Sequence, residues 1–182
     1  MRSLVDAINR LSEGIGRAVA WLTLIMVLVT VVVVVLRYLF DVGWIWMQES
    51  ITWMHAAVFM LGAAYTLRRD EHVRVDIFYR QMSARRRALV GIAGTVLFLL
   101  PVCVFIGMSS WDYVTSSWVI NEASREAGGL PYPFVPILKS LILITAVLVG
   151  LQACADLLRD LLIATGRRQP GPSATVPPGE VL

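Results

Sequence analysis

Charge is scarce in this 182-residue chain. Asp, Glu, Lys and Arg make up 16% of it and hydrophobic residues 57%, with a mean hydropathy of +0.70. Soluble domains carry about a quarter charged residues, so this composition excludes a soluble globular protein. Polar chain between the apolar blocks is also short. A separate catalytic domain, which needs about 50 residues or more around its own core, is therefore excluded. Only two cysteines are present, Cys103 and Cys154. Both lie inside apolar stretches, and they read as small buried hydrophobes with no disulfide between them. There are two histidines, and only His55 falls within an apolar block. A haem held by two histidines in the bilayer is thereby excluded within one chain. No paired-cysteine motif, Gly-rich phosphate loop or catalytic constellation is present, so no catalytic, cofactor-binding or metal-binding residue is assigned. The net charge of +3 reflects basic residues beside the apolar blocks rather than a nucleic-acid partner.

What the chain has instead is four apolar blocks of about 20 residues, the length at which a helix rising 1.5 Å per residue crosses a hydrocarbon core about 30 Å thick. They run at about 18–36, 50–67, 88–108 and 137–158, the third with Pro101 inside it, which predicts a bend. The first block is too long for a signal peptide and is followed by Arg37, Tyr38, Leu39 and Phe40 rather than a cleavage site, so it reads as an uncleaved anchor. Basic residues then set the direction, because they resist translocation. Arg2, Arg10, Arg17, Arg68, Arg69, Arg74, Arg80, Arg85, Arg86, Arg87, Arg159, Arg167 and Arg168 fall on one side, leaving Arg37, Arg125 and Lys139 for the other. Both termini are therefore expected in the cytoplasm, which an even number of spans also requires. Trp44, Trp46, Trp111, Tyr113, Trp118 and Tyr132 mark the external headgroup level, and Trp21 and Tyr65 the inner one.

Outside the spans, Leu4, Ile8, Leu11 and Ile15 recur at helical spacing within 1–17 and predict an amphipathic helix in the cytoplasmic interface, turning into the bilayer at Gly14 and Gly16. The alternative is a simple extension of the first span. The stretch 109–121 is helix-compatible, so the third span projects beyond the membrane before the Gly and Pro residues of 128–133 reverse the chain. Residues 161–182, Pro-rich and without apolar period from Gly166, predict a largely disordered tail. The fold class is thus an all-α integral membrane protein: an interfacial helix at 1–17, a four-helix transmembrane domain at 18–160 and a cytoplasmic tail.

Within the second span, His55, Phe59, Gly62 and Thr66 form one stripe, flanked by Thr52, Ala56 and Ala63. Small residues let helices approach and polar ones hydrogen-bond between them, so this stripe is expected to face a protein partner. The opposite face, Ile51, Met54, Val58, Leu61 and Tyr65, is bulky and suits lipid. Glu49 sits at the external edge behind Trp46, where it either complements the helix N-terminus or bonds to a partner. His72 and Asp76, a turn apart in the basic loop, read as a solvated or capping pair.

The order WIWMQES followed by HAAVFMLGAAYTLRRDEHVRVDIFYR resembles the small membrane subunit of tripartite ATP-independent periplasmic (TRAP) transporters, the DctQ-like family. The resemblance rests on Trp46, Glu49, Gly62, Ala63, Arg68, His72, Val73 and Asp76 at matching spacing and covers about residues 15 to 160. The stretches FMLGAAYTLR and GGLPYPFVPILKSLILITAVLVGLQACADLLR are similar to the subgroup associated with mannitol and chloroaromatic compounds. The chain departs from the family at Gln48, where many members carry a second acidic residue.

The resemblance implies a small permease subunit in the bacterial inner membrane. Its partners are a large multi-span membrane subunit, a periplasmic substrate-binding protein and membrane lipids. The large subunit resembles an elevator carrier driven by an ion gradient, usually sodium, for uptake of organic acids, and the small subunit enlarges its scaffold. Trp46, Glu49, His55, Phe59, Gly62 and Thr66 are then the candidates for the partner interface. Arg68, His72 and Asp76 are expected to fix the cytoplasmic turn. The competing reading is a small four-span homodimeric exporter working through Glu49.

Overall fold

The computed structural model describes residues 2–69 and 82–166. Among these the chain is helical, with four helices long and apolar enough to cross a membrane: α1 Arg2–Phe40, α2 Ile45–Arg69, α3 Ala84–Val119 and α4 Phe134–Ala164. The apolar blocks of the sequence form the bodies of these helices, and each helix extends past the apolar limits. Helix α4 runs to Ala164, four residues into the stretch expected to be tail.

The helices pack as an open layer in the order α1, α2, α4, α3. Helix α1 lies on α2, α2 on α4 and α4 on α3, with a smaller contact between α1 and α4. Helix α3 shares no extensive interface with α1 or α2 among the described residues. The central position of α4 accounts for its buried residues Pro136, Leu141, Ala146, Leu148, Gln152, Ala153 and Ala155. Large apolar side chains elsewhere point outward, including Leu28, Phe59, Phe98 and Phe105. A layer with so little interior is stable only where hydrocarbon or another protein covers its faces.

Helix α1 has 39 residues and is about 58 Å long, far more than a 30 Å hydrocarbon core requires. It passes unbroken through Gly14 and Gly16, so the expected turn into the bilayer is absent. The reason is packing. Ser12, Gly16 and Val19 are buried, and Leu22, Met26, Val29, Val33 and Leu36 continue the same stripe half-buried, giving one seam along the whole helix with a repeat near 3.5 residues. Gly16 is needed in that seam, because a Cβ there would run into the ring of Tyr65. Of the apolar stripe, Ile8 and Ile15 are only half-buried, unlike the enclosed face of a soluble amphipathic helix. Leu11 is exposed and the covered residues are polar or small, an arrangement suited to lipid outside and protein within.

In α3 the backbone ladder widens to a π-turn at Thr95–Leu99, where the Leu100 N–H reaches back to the Thr95 carbonyl. Pro101 follows directly. Its missing N–H and ring interrupt the ordinary ladder, and the widened turn is the local accommodation. The helix ends in a Schellman motif: Asn121 is left-handed (φ 50°), Asn121 N–H donates to the Trp118 carbonyl at 3.3 Å and Glu122 N–H to the Ser117 carbonyl at 3.1 Å.

Candidate functional site

Polar contacts gather at the two ends of the layer. At the hairpin end, which carries the connections 41–44 and 120–133, Glu49 holds the second connection against α2. Its Oε2 accepts from the Leu130 N–H at 2.6 Å, and its Oε1 accepts from the Ser124 hydroxyl. The Trp46 N–H, one of the unpaired donors of the first turn of α2, is satisfied by the Gly128 carbonyl at 3.1 Å. Ser124 N–H donates to the Leu130 carbonyl at 3.0 Å and closes the loop on itself. Gly129 must be small, since a Cβ there would lie 2.8 Å from Glu49 Oε2 and closer still to Ser124.

A second cluster at the same end joins α3 to α4. Glu122 Oε2 accepts from Lys139 Nζ at 2.5 Å and from the Ser117 hydroxyl at 2.6 Å, while Lys139 lies 4.0 Å above the centre of the Tyr113 ring. The Lys139 hydrogen bond, then that of Ser117, holds the Glu122 carboxyl below the usual value of 4.5. Trp118 Nε1 donates to Ser140 Oγ at 3.0 Å, and Trp53 Nε1 to the Phe134 carbonyl at 3.2 Å.

At the opposite, basic end, Glu13 of α1 accepts from Arg68 and, at 3.3 Å, from Arg69 of α2, and also pairs with Arg17 at 3.3 Å. One turn away Gln152 of α4 is 0% exposed. Its Oε1 accepts from Ser12 at 2.9 Å and its Nε2 donates to Asn9 at 3.2 Å. These bonds tie α1 to both inner helices.

Between the two ends α2 turns its predicted stripe outward. His55 is exposed and its ring meets Phe59 at 4.7 Å between centroids; Phe59 is 69% exposed, and a Cβ added at Gly62 would meet no other part of the fold within 4 Å. An open cleft of about 450 Å³ beside this stripe is lined by Met26, Val27, Thr30 and Val31 of α1 and Ile51, Thr52 and His55 of α2.

The sequence matches the family model of the DctQ component of tripartite ATP-independent periplasmic transporters over residues 26–162. The chain belongs to this family. It is a TRAP-type small permease component and a multi-pass inner-membrane protein. A similar protein is the C4-dicarboxylate TRAP transporter small permease protein DctQ of Vibrio cholerae serotype O1, 29% identical over 108 residues, which are 59% of this chain. The match takes in 46% of that relative, so the chain spans about half of its length.

In this DctQ-family chain the predicted residues divide into three groups. Trp46 and Glu49 belong to the hairpin-end clasp, and the Glu49 carboxylate is engaged within the chain rather than left facing a partner. His55, Phe59, Gly62 and Thr66 share the outward stripe, where the Thr66 hydroxyl donates to the Gly62 carbonyl at 3.1 Å. Arg68 is paired with Glu13 across helices; His72 and Asp76 lie outside the described residues. The face expected to meet lipid is corrected: Met54 is buried with Ala57 and Ala64, and Tyr65 packs on Gly16. Size alone points these bulky side chains outward, but the notch at Gly16 gives Tyr65 a place inside. Glu13, Gln152, Glu122 and Ser124 were missed. For Gln152 a signal existed, since a lone amide in an apolar run demands a partner.

Proposed function

We propose that this chain is the stationary scaffold subunit of a binding-protein-dependent uptake system, driven by an ion gradient, with sodium as the coupling ion. It enlarges the fixed part of a large elevator-type membrane subunit, which carries organic acids delivered by a periplasmic binding protein. The relative's association with C4-dicarboxylates supports the carboxylate class. The cytoplasm holds the basic end of the layer and both termini, as the arginine distribution requires.

The observation that carries this reading is the layer itself. Interhelical polar bonds join α2, α3 and α4 at the hairpin end and α1, α2 and α4 at the basic end, and among the described residues no charged residue lies in the middle of a span. A carrier working alone needs a polar site at mid-membrane, commonly built on broken helices. The homodimeric exporter reading is opposed by Glu49, whose two oxygens are both bonded within the chain near the membrane surface.

The test is uptake in proteoliposomes holding the large subunit with and without this chain, with binding protein, a sodium gradient and labelled organic acids. Uptake only in the complete mixture is expected. Uptake by this chain alone would refute the scaffold role.

A further inference from the structure

We infer that the outer face of α3 at the basic end holds an anionic phospholipid, with its phosphate on Arg85 and Arg86 and one acyl chain along Leu89, Ala93, Gly94 and Leu97. The site does not depend on the scaffold reading, since α3 presents it whatever the layer supports.

These two arginines stand apart from the others at this end. Arg17, Arg68 and Arg69 pair with Glu13, and Arg159 pairs with Asp156 at 3.3 Å. Arg10 donates to the Asp6 carbonyl at 3.3 Å and Arg87 to the Met82 carbonyl at 3.1 Å. Arg85 and Arg86 are exposed, with no carboxylate or hydrogen-bond partner among the described residues. Their position is electrostatically adverse. They lie in the first turn of α3, where the helix end already carries positive charge and no acidic residue offsets it. The same turn has backbone donors to spare: the Ser83 hydroxyl accepts from the Arg86 N–H at 3.4 Å, while the N–H groups of Ala84 and Arg85 have no intrahelical acceptor. The Asp160 carboxylate of α4 lies against Gly91, on the side of α3 that faces α4.

Below the arginines the surface turns apolar at the depth a lipid requires. The apolar block begins at Ala88, so both arginines start about 3–5 Å outside the hydrocarbon, within side-chain reach of the headgroup phosphates. Leu89 and Leu97 are 50% and 66% exposed. Between them Ala93 and Gly94 are exposed and small, and a Cβ at Gly94 would meet no other part of the fold within 4 Å. All four follow Arg86 on one side of the helix and leave a shallow depression about 12 Å long beneath the charge.

Charge and depression together select the occupant. A second copy in the same membrane would bring the same arginines to this level, and like charges repel. An apolar helix offers the arginines nothing, and an acidic protein segment matches them without filling the depression. A zwitterionic lipid carries its own cation beside the phosphate. An anionic phospholipid supplies both a phosphate for the guanidinium and N–H donors and a chain for the apolar surface below.

The test is native mass spectrometry of the full chain in detergent, titrated with dioleoyl phosphatidylglycerol, dioleoyl phosphatidylcholine or inorganic phosphate. One phosphatidylglycerol is expected to stay bound where phosphatidylcholine and phosphate do not. Arg85→Gln and Arg86→Gln should each weaken it about fivefold. Arg10→Gln combined with Arg17→Gln, a larger loss of charge at the same end, should not. Gly94→Leu, which fills the depression, should weaken the lipid without changing charge. Melting temperatures of the Arg85, Arg86 and Gly94 variants without added lipid should match that of the unaltered chain. Four results would each overturn the assignment. Equal weakening by the Arg10 and Arg17 pair would show diffuse charge attraction, and equal retention of inorganic phosphate an anion site without lipid. Undiminished binding by Gly94→Leu would remove the acyl path. Release of the lipid when the large subunit binds would give the arginines to an acidic segment of that subunit. Uptake that requires this chain can persist through any of these, so their failure leaves the scaffold reading standing.

Discussion

Glu13 of α1 and Arg68 of α2 are joined by an ion pair between positions 55 residues apart in sequence. Of Arg68, His72 and Asp76, Arg68 is the one within the described residues, and its partner lies in the N-terminal segment expected to be separate from the layer. The pair therefore makes that segment part of the packed structure. Glu13→Gln and Arg68→Gln are each expected to lower the yield and melting temperature of the purified chain, and the doubly charge-reversed chain, Glu13→Arg with Arg68→Glu, to recover part of the loss. A chain lacking residues 2–17 that melts like the full chain would contradict this.

Gly16→Leu should act through the same seam. The new side chain meets the Tyr65 ring, and overpacking of this kind costs about 1–3 kcal/mol. Adding Tyr65→Ala should relieve much of the loss, measured as melting temperature in detergent. Failure of the second substitution to help would mean that α1 and α2 do not meet at this point.

Glu49→Ala leaves the Leu130 N–H and the Ser124 hydroxyl without their acceptor. Loss of a hydrogen bond to a charged group costs about 1.5–3 kcal/mol, so residues 120–133 should exchange amide hydrogens faster while the helices do not. Unchanged exchange at Leu130 would refute the clasp.

Glu122 makes the same loop sensitive to acid. Its carboxyl is held below 4.5 by Lys139 and Ser117, so its contribution to stability is fully present above 4.5 and is lost as pH falls through the lower folded-state value. Protease nicking between 120 and 133 should rise across that window. Glu122→Gln should be nicked equally on both sides of it.

Gly62→Leu separates folding from assembly. Nothing within the chain lies within 4 Å of a Cβ at this position, so the isolated chain should fold normally. Co-purification of the large subunit should fall if the stripe is the interface, and a drop in the chain's own melting temperature instead would place Gly62 in an internal contact.

The four spans could be read from sequence because hydrocarbon imposes a length and a composition on each helix separately. Neighbours could not. Small and polar residues mark a contact without saying whether the partner is in the same chain, so Gly16 read as a hinge when it is the seat of Tyr65. Glu49 was recognised, but its partners Ser124 and Leu130 lie at least 75 residues away, and only the folded loop brings them together. Gln152 stands alone as an amide in an apolar run and needs a partner, but Ser12 and Asn9 lie 140 and 143 residues away and only the folded layer brings them to it. Of the predicted stripe, the outward orientation of His55, Phe59 and Gly62 is visible in the fold, and its use rests on the partner.

The scaffold account requires that this chain stay rigid while substrate moves. A Cβ at Gly150 lies 3.8 Å from Cβ of Cys103, the usual separation across a disulfide, so Gly150→Cys in a Cys154→Ser background can cross-link α4 to α3. Uptake by the complete reconstituted system should be the same with this bond formed or reduced. Uptake that stops on oxidation and returns with reductant would show that α3 and α4 move during transport, and would contradict a stationary scaffold.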